Sequence, residues 1–323
     1  MDGAQLVRRA AERRHKSRTI GAVPELPDVL VYVERLAALT RGRVLERARV
    51  ASPFVVRTFE PPLRALEGQR VVGVERIGKR IVLALDQELF LVLHLMIAGR
   101  LRWRERGAPV PKKLGLLALD FDSGTLLFTE ASTKKRASIH VVRGRAALEP
   151  FDRGGVEPLE VSVREFAAAL GRENRTLKRA LTDPRLVSGV GNAYSDEILF
   201  RARLSPVRLT SQLDDEELER LFVATRETLE HWIDRTRAEV GDGFPEKVTA
   251  FRDGMAVHGR YGEPCPECAT KVQRIRFADN ELNYCPRCQT GGKLLADRGL
   301  SRLLKGDWPK SIEEMEERLG KLE

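Results

Sequence analysis

The sequence predicts an α+β protein of two domains. A β-sandwich with one leading helix comes first, then a helix–two-turn–helix bundle that ends in a four-cysteine ribbon. Three observations predict this. Apolar runs of strand length, several β-branched, follow one another between residues 71 and 142 with no helical segment between them. Between residues 160 and 240 the apolar period changes to 3.6. All four cysteines fall in one short window near the C-terminus. Strands that succeed each other without crossover helices favour packed sheets over alternating βαβ units.

The elements follow in order. With 323 residues the chain has room for about two domains, each able to bury a core without disulfide staples. Residues 1–23 read as a tail. The stretch 8–18 is polar and basic with no apolar stripe, so a disordered tail, a nucleic-acid arm and a transit peptide are its three readings. Val29, Val33, Leu36 and Ala37 carry helical spacing and open the first domain with a helix over residues 28–39. Strands are expected at 71–74, 80–85, 89–95, 115–121, 125–128 and 138–142. Asp122-Ser123-Gly124 is a hairpin turn between two of them. Pro150, Gly154, Gly155 and Pro158 mark a linker over 145–158. Ser162 and Glu165 form a capping box ahead of an apolar run. Leu218, Leu221, Phe222, Leu229, Trp232 and Ile233 line one face of a long helix that Gly241 ends. The expected divisions are 1–23 for the tail, 24–150 for the sandwich, 158–252 for the helical domain, 256–290 for the ribbon and 291–323 for an extension. The extension holds an amphipathic helix over 312–322 that docks on the core.

Charged residues make up 32% and hydrophobic residues 42%, a globular balance that excludes fibrous and wholly disordered classes. No apolar run reaches the ~18 residues of a membrane-spanning helix. Lysine and arginine number 56 against 47 acidic residues, for a net charge of +9. The surplus is clustered: residues 172–208 hold eight basic and four acidic side chains, and residues 129–145 hold five and one. A polyanionic partner follows from such clustering. No signal-peptide pattern is visible, which predicts the cytoplasm, and clustered thiols in a reducing compartment read as metal ligands.

Cys265-x2-Cys268 and Cys285-x2-Cys288 are separated by sixteen residues. Four thiolates converging from two tight turns satisfy tetrahedral zinc with no open position, so one structural zinc ion is expected. Lys271, Arg274 and Arg276 between the pairs suit a hairpin facing phosphates. Upstream, Ser188-Gly189-Val190-Gly191-Asn192 sets two glycines between helical segments at 174–182 and 193–200, a helix, a double turn and a second helix. Amides at such a helix start favour an anion.

Taken with Pro24-Glu25-Leu26-Pro27-Asp28 and His94-Leu95-Met96-Ile97-Ala98-Gly99-Arg100, these motifs stand in an order and at distances that resemble the formamidopyrimidine-DNA glycosylase / endonuclease VIII family. The resemblance spans about residues 24 to 290. It implies a base-excision-repair enzyme that acts on double-stranded DNA carrying a damaged base or an abasic site, as a monomer near the bacterial nucleoid. By the resemblance, Pro24 is the nucleophile whose secondary amine attacks C1′ of the damaged nucleotide, and Glu25 is the acid/base group. Lys79 is a hairpin lysine that binds phosphate and assists elimination. His94, Lys178 and Asn192 match phosphate contacts, and Glu197 matches a supporting helix position.

Four features depart from the family pattern. Pro24 is internal, and an amide nitrogen is not nucleophilic. A start codon at the position of Val23, misread upstream, is the expected explanation. The family's Arg-Arg-Phe-Gly block, which fills the hole left by a flipped base, has Glu130-Ala131-Ser132-Thr133-Lys134-Lys135-Arg136 in its place. Asn280 stands where a phosphate-gripping arginine is usual and is kept as a candidate DNA contact. The stretch 240–251 is short for a loop that closes over oxidised guanine. A non-catalytic binder of damaged DNA on the same fold is therefore the rival reading. A zinc-ribbon transcription or RNA-binding factor is a second, and it leaves Pro24-Glu25 unexplained.

Overall fold

The computed structural model describes residues 23–246, 248, 252–277, 281–296 and 309–320. Helix α1 spans Leu26–Thr40. Pro27 sits in its first turn, where a missing N–H costs nothing, and the Asp28 carboxylate accepts the Glu25 N–H at 3.0 Å. Eight strands follow: β1 Leu45–Val50, β2 Val71–Ile77, β3 Arg80–Leu85, β4 Leu89–His94, β5 Gly99–Arg104, β6 Gly115–Phe121, β7 Gly124–Glu130 and β8 Ser138–Arg143. They form two antiparallel four-stranded sheets, ordered β1-β6-β7-β5 and β2-β3-β4-β8.

Between the sheets lies one core, to which Leu83, Leu91, Leu93, Ile139, Leu101, Leu119 and Phe128 contribute. Strands β3 and β4 are covered on the other face too. There Val82, Phe90 and Val92 pack with Leu148 and Phe151 of the connecting segment. Burial on both faces is why β4 reads as an unbroken apolar run instead of alternating. The sequence reading omits β1 and β5. Arg47 and Arg49 in β1, and Arg100, Arg102 and Arg104 in β5, break up their apolar content, although Leu45 and Leu101 enter the core.

Four helices follow: α2 Val163–Gly171, α3 Leu177–Thr182, α4 Asn192–Arg201 and α5 Asp215–Val240. The capping box at Ser162 and Glu165 forms as expected, and Gly241 caps the long helix at φ +53°. Helix α3 starts three residues later than the sequence suggests. Thr176 and Leu177 bond instead to Leu209 and Arg208. Leu177, Leu181, Tyr194, Ile198, Leu221 and Leu229 build a second core. Helix α1 belongs to both cores: Val29, Tyr32 and Leu36 enter the first, Leu26 the second.

The ribbon hairpin pairs β9 Gln273–Arg276 with β10 Glu281–Tyr284 and continues into the short helix α6 Pro286–Thr290. Helix α7, Ile312–Gly320, follows; Leu322 lies outside the described residues. Within the extension, main-chain bonds join Leu294 to Lys310 and Ile312 to Gly292, and Ile312 is buried. Its contact with the ribbon runs through Leu295, which packs against Ile275, Leu282 and Tyr284 and donates its N–H to the Tyr284 hydroxyl at 2.8 Å. No helix among the described residues is long and apolar enough to cross a membrane.

Candidate active site and metal centre

Glu25 occupies the N-cap position of α1, yet its carboxylate serves another helix. It accepts N–H bonds from Gly191 at 2.6 Å, Ala193 at 2.8 Å and Tyr194 at 3.3 Å, all at the start of α4. Backbone donors and the positive end of a helix suit an anion there. Two glycines make the approach possible. Gly189, at φ +77°, lies so close to α1 that an added Cβ would stand 2.8 Å from the Leu26 Cβ, and its carbonyl accepts the Leu26 N–H at 2.9 Å. At Gly191 a Cβ would fall 2.4 Å from Lys79 Nζ and 2.5 Å from Glu25 Cδ. Lys79, from the β2–β3 turn, and Glu25 thus converge on one glycine, and Pro24, the residue before Glu25, is buried. Burial pulls the Lys79 pKa down, and the Glu25 charge opposes that pull.

Asp28 extends the site inward. Its carboxylate pairs with Arg252 at 2.6 Å, both side chains being buried. Arg252 also donates to Thr236 Oγ1 at 2.6 Å and lies over the Trp232 ring. Burial pushes the Asp28 pKa up to about 6, and Arg252 is the strongest influence against that rise. Sequence reasoning gave Asp28 no role and missed Arg252. The two are 224 residues apart, and no local pattern links them.

The other expected residues divide. His94, at the end of β4, is half-buried. Burial and the positive charges of Arg80, Lys79 and His140 push its pKa down to about 4, so it is neutral at pH 7. Lys178 is buried, with Nζ bonded to Asp196 Oδ1 at 2.5 Å and to the Asn192 carbonyl at 2.6 Å. The same Asp196 meets His258 Nδ1 at 2.7 Å and the Asn283 N–H at 3.1 Å, tying α3 and α4 to the ribbon. Asn192 donates its amide to the Glu281 carbonyl at 2.8 Å. The neighbouring Glu197 accepts N–H bonds from Ala256, Val257 and His258, a supporting role like the expected one. Asn280 lies outside the described residues, as do residues 247 and 249–251 of the short loop.

Where the void-filling block was expected, Glu130 closes a tight loop. Its buried carboxylate accepts the N–H groups of Arg136 and Ala137, leaving Lys134, Lys135 and Arg136 exposed. The loop holds charge and no large apolar wedge.

The ligand atoms of Cys265, Cys268, Cys285 and Cys288 all lie within 4.8 Å of one another. Zinc held by four thiolates at about 2.3 Å sets its sulfurs about 3.8 Å apart. The Cys265–Cys288 and Cys268–Cys285 sulfur distances are 3.9 and 3.5 Å, and the Cys288 N–H points to the Cys285 sulfur. The donor set fits a closed tetrahedral site.

Comparison with known proteins agrees with this geometry. Residues 23–136 match the formamidopyrimidine-DNA glycosylase N-terminal domain, residues 155–242 the formamidopyrimidine-DNA glycosylase H2TH domain, and residues 262–291 the zinc finger found in FPG and IleRS. The formamidopyrimidine-DNA glycosylase of Desulfitobacterium hafniense is 33% identical, over 83% of this chain and 100% of its own. That of Thermus thermophilus is 35% identical, over 84% and 100%. Among solved structures, the MutM (Fpg) protein of Thermus thermophilus superposes with a TM-score of 0.69 at 34% identity, covering 82% of this chain and 98% of that one. The Lactococcus lactis Fpg in complex with DNA containing an abasic site gives 0.73 at 26% identity, covering 82% and 99%.

Proposed function

The chain belongs to the formamidopyrimidine-DNA glycosylase family, and on that premise we propose that it is a bifunctional glycosylase and abasic-site lyase that uses Pro24. As a family member it is a DNA repair glycosylase acting on damaged DNA. The finer reading rests on one observation: Glu25, next in the chain to Pro24, converges with Lys79 on Gly191.

With Pro24 as the N-terminal residue, its secondary amine attacks C1′ of the damaged nucleotide, and the bond from C1′ to the base breaks. The base leaves with a proton that Glu25 relays. The attacking nitrogen gives up its N–H proton and the C1′–O4′ bond then opens, a proton going to the ring oxygen. The product is a cationic iminium, which needs no extra proton to stay charged. It draws electrons from the sugar, so a 2′ proton is lost and the 3′ phosphate departs, followed by the 5′ phosphate. A free α-amine has a pKa near ~7.7, so a useful fraction is nucleophilic at neutral pH. The damaged base must leave the stack for C1′ to be reached. Lys79 and the neutral His94 face the phosphates at the break. Lys178 and Asn192 serve by holding the α4 start that carries Glu25, and Asn280 is assigned to the strand from the ribbon. One structural zinc ion holds that ribbon, and the divisions given above are its working domains. The enzyme acts as a monomer.

One observation favours the rival reading. Val23 precedes Pro24, and a proline nitrogen in a peptide bond has no free lone pair. Borohydride trapping on abasic duplex DNA separates the two. A chain beginning at Pro24 is expected to form a trapped adduct, and one beginning at Met1 is not. Glu25→Gln in the Pro24-first chain should bind DNA and lose base excision. If the Pro24-first chain binds the duplex and gives no adduct, the protein is a binder and the nucleophile assignment is wrong.

A further inference from the structure

A cleft of about 230 Å³ opens at Lys79 and His94 and runs past Phe151 to Arg153 on the segment that joins the sheets to the helices. It continues as a second cleft of about 470 Å³ lined by Arg175, Arg179 and Arg185. Arg153, Thr182 and Pro184 line both, so the two form one track leading away from the catalytic pair.

Charge is unevenly balanced along it. Arg175 and Arg185 share the carboxylates of Asp183 and Glu173, so those two cations are compensated. Asp152, whose carboxylate accepts the Gly154 N–H at 2.8 Å, adds one negative charge to the first cleft and forms no ion pair among the described residues. Arg153 and Arg179 are exposed, and their side chains have no ion pair or hydrogen bond among the described residues. One comes from the connecting segment and the other from α3. The charge of Arg153 reaches the pocket wall, where it helps to lower the Arg80 pKa, burial being the larger cause. Two uncompensated guanidinium groups on an open polar track suit a chain of anions, and arginine matches phosphate oxygens in pairs.

We propose that Arg153 and Arg179 grip phosphates of the reacting DNA strand beyond those at Lys79 and His94, so that the strand leaves the catalytic pocket along the connecting segment. The inference rests on the glycosylase reading above. It assigns a direction to the strand that no motif in the sequence carries, and it makes the joint between the two halves part of the binding surface.

Binding of the full chain to a duplex with a tetrahydrofuran abasic analogue, followed by fluorescence anisotropy across a salt series, tests it. The double variant Arg153→Ala/Arg179→Ala should reduce the slope of log K against log salt by about 1.8, since each phosphate contact contributes about 0.9. The charge-preserving Arg153→Lys/Arg179→Lys should keep the wild-type slope, which separates lost charge from lost folding. Neutral methylphosphonates placed one at a time on the lesion strand locate the contacts. At two neighbouring positions on one side of the lesion they should weaken wild-type binding several-fold and leave the alanine variant unaffected. An unchanged slope, or methylphosphonate losses equal in both proteins, overturns the proposal alone. Wild-type protein that binds no lesion duplex overturns it together with the function on which it rests. Protection against heat by millimolar inorganic phosphate, seen in wild type but not in the variant and without a change of DNA slope, makes the track a free-anion pocket and overturns it as well.

Discussion

Replacing Arg252 with methionine keeps much of the side chain's bulk and removes its charge. The Asp28 carboxylate then stays buried with the Glu25 N–H as its remaining hydrogen bond. Burial is the first cause of its raised pKa, about 6 in the folded chain against 3.8 for the free group, and Arg252 is the largest opposing influence. A carboxylate raised in this way costs stability when ionised. Its cost is full above pH 6, shrinks as pH falls through 6, and is gone below 3.8. A rise of that size corresponds to about 3 kcal/mol. Removing Arg252 drives the folded pKa higher still, and breaking one side of a buried pair costs about 3–5 kcal/mol. Urea unfolding of the variant should show a loss in that range at pH 8 and a clearly smaller one at pH 5, where Asp28 takes up a proton in both proteins. What persists at pH 5 reports the bond to Thr236 and the packing on Trp232, which do not titrate there. The double variant Asp28→Asn/Arg252→Met should recover most of the pH 8 loss. A loss below about 1 kcal/mol at pH 8, or equal losses at both pH values, would refute the reasoning.

Two further outcomes are expected. Gly191→Ala places a methyl 2.5 Å from the Glu25 Cδ, which three N–H groups hold in place, so single-turnover base excision should fall by about 10²-fold and stability by about 1–3 kcal/mol; excision within threefold of wild type would count against the site. Cys285→Ser removes one of four zinc ligands, and metal analysis should find the zinc lost together with DNA affinity, because a module this small takes its folding energy from the metal; full zinc occupancy in the variant would contradict this.

How much of the site could be read from sequence depended on spacing. The two Cys-x2-Cys pairs are local motifs, and the short distance within each pair already forces convergence. Glu25 beside Pro24, and Gly191 ahead of a helix, were visible as separate pieces. Their meeting was not visible, because 166 residues separate the Glu25 carboxylate from the Gly191 N–H that it accepts. Lys178, matched to a phosphate contact by the family resemblance, is buried by the fold and bonded to Asp196, eighteen residues on, a pairing that no local pattern showed. Clustering of charge along a sequence does not reveal which cations are already neutralised by folding.

By itself the sequence determined what short-range physics controls. Period-2 and period-3.6 patterns, the capping box at Ser162, the stop at Gly241 and the four-thiolate centre depend on neighbours a few residues apart. Only the tertiary structure decided which chemistry-bearing groups share a space. It placed α1 in both cores, brought Glu25 and Lys79 to one glycine, paired Asp28 with Arg252, and left Arg153 and Arg179 without counter-charges among the described residues. The physical reason is that a buried charge must find its partner in three dimensions or bear its desolvation alone, and distance along the chain places no limit on where that partner comes from.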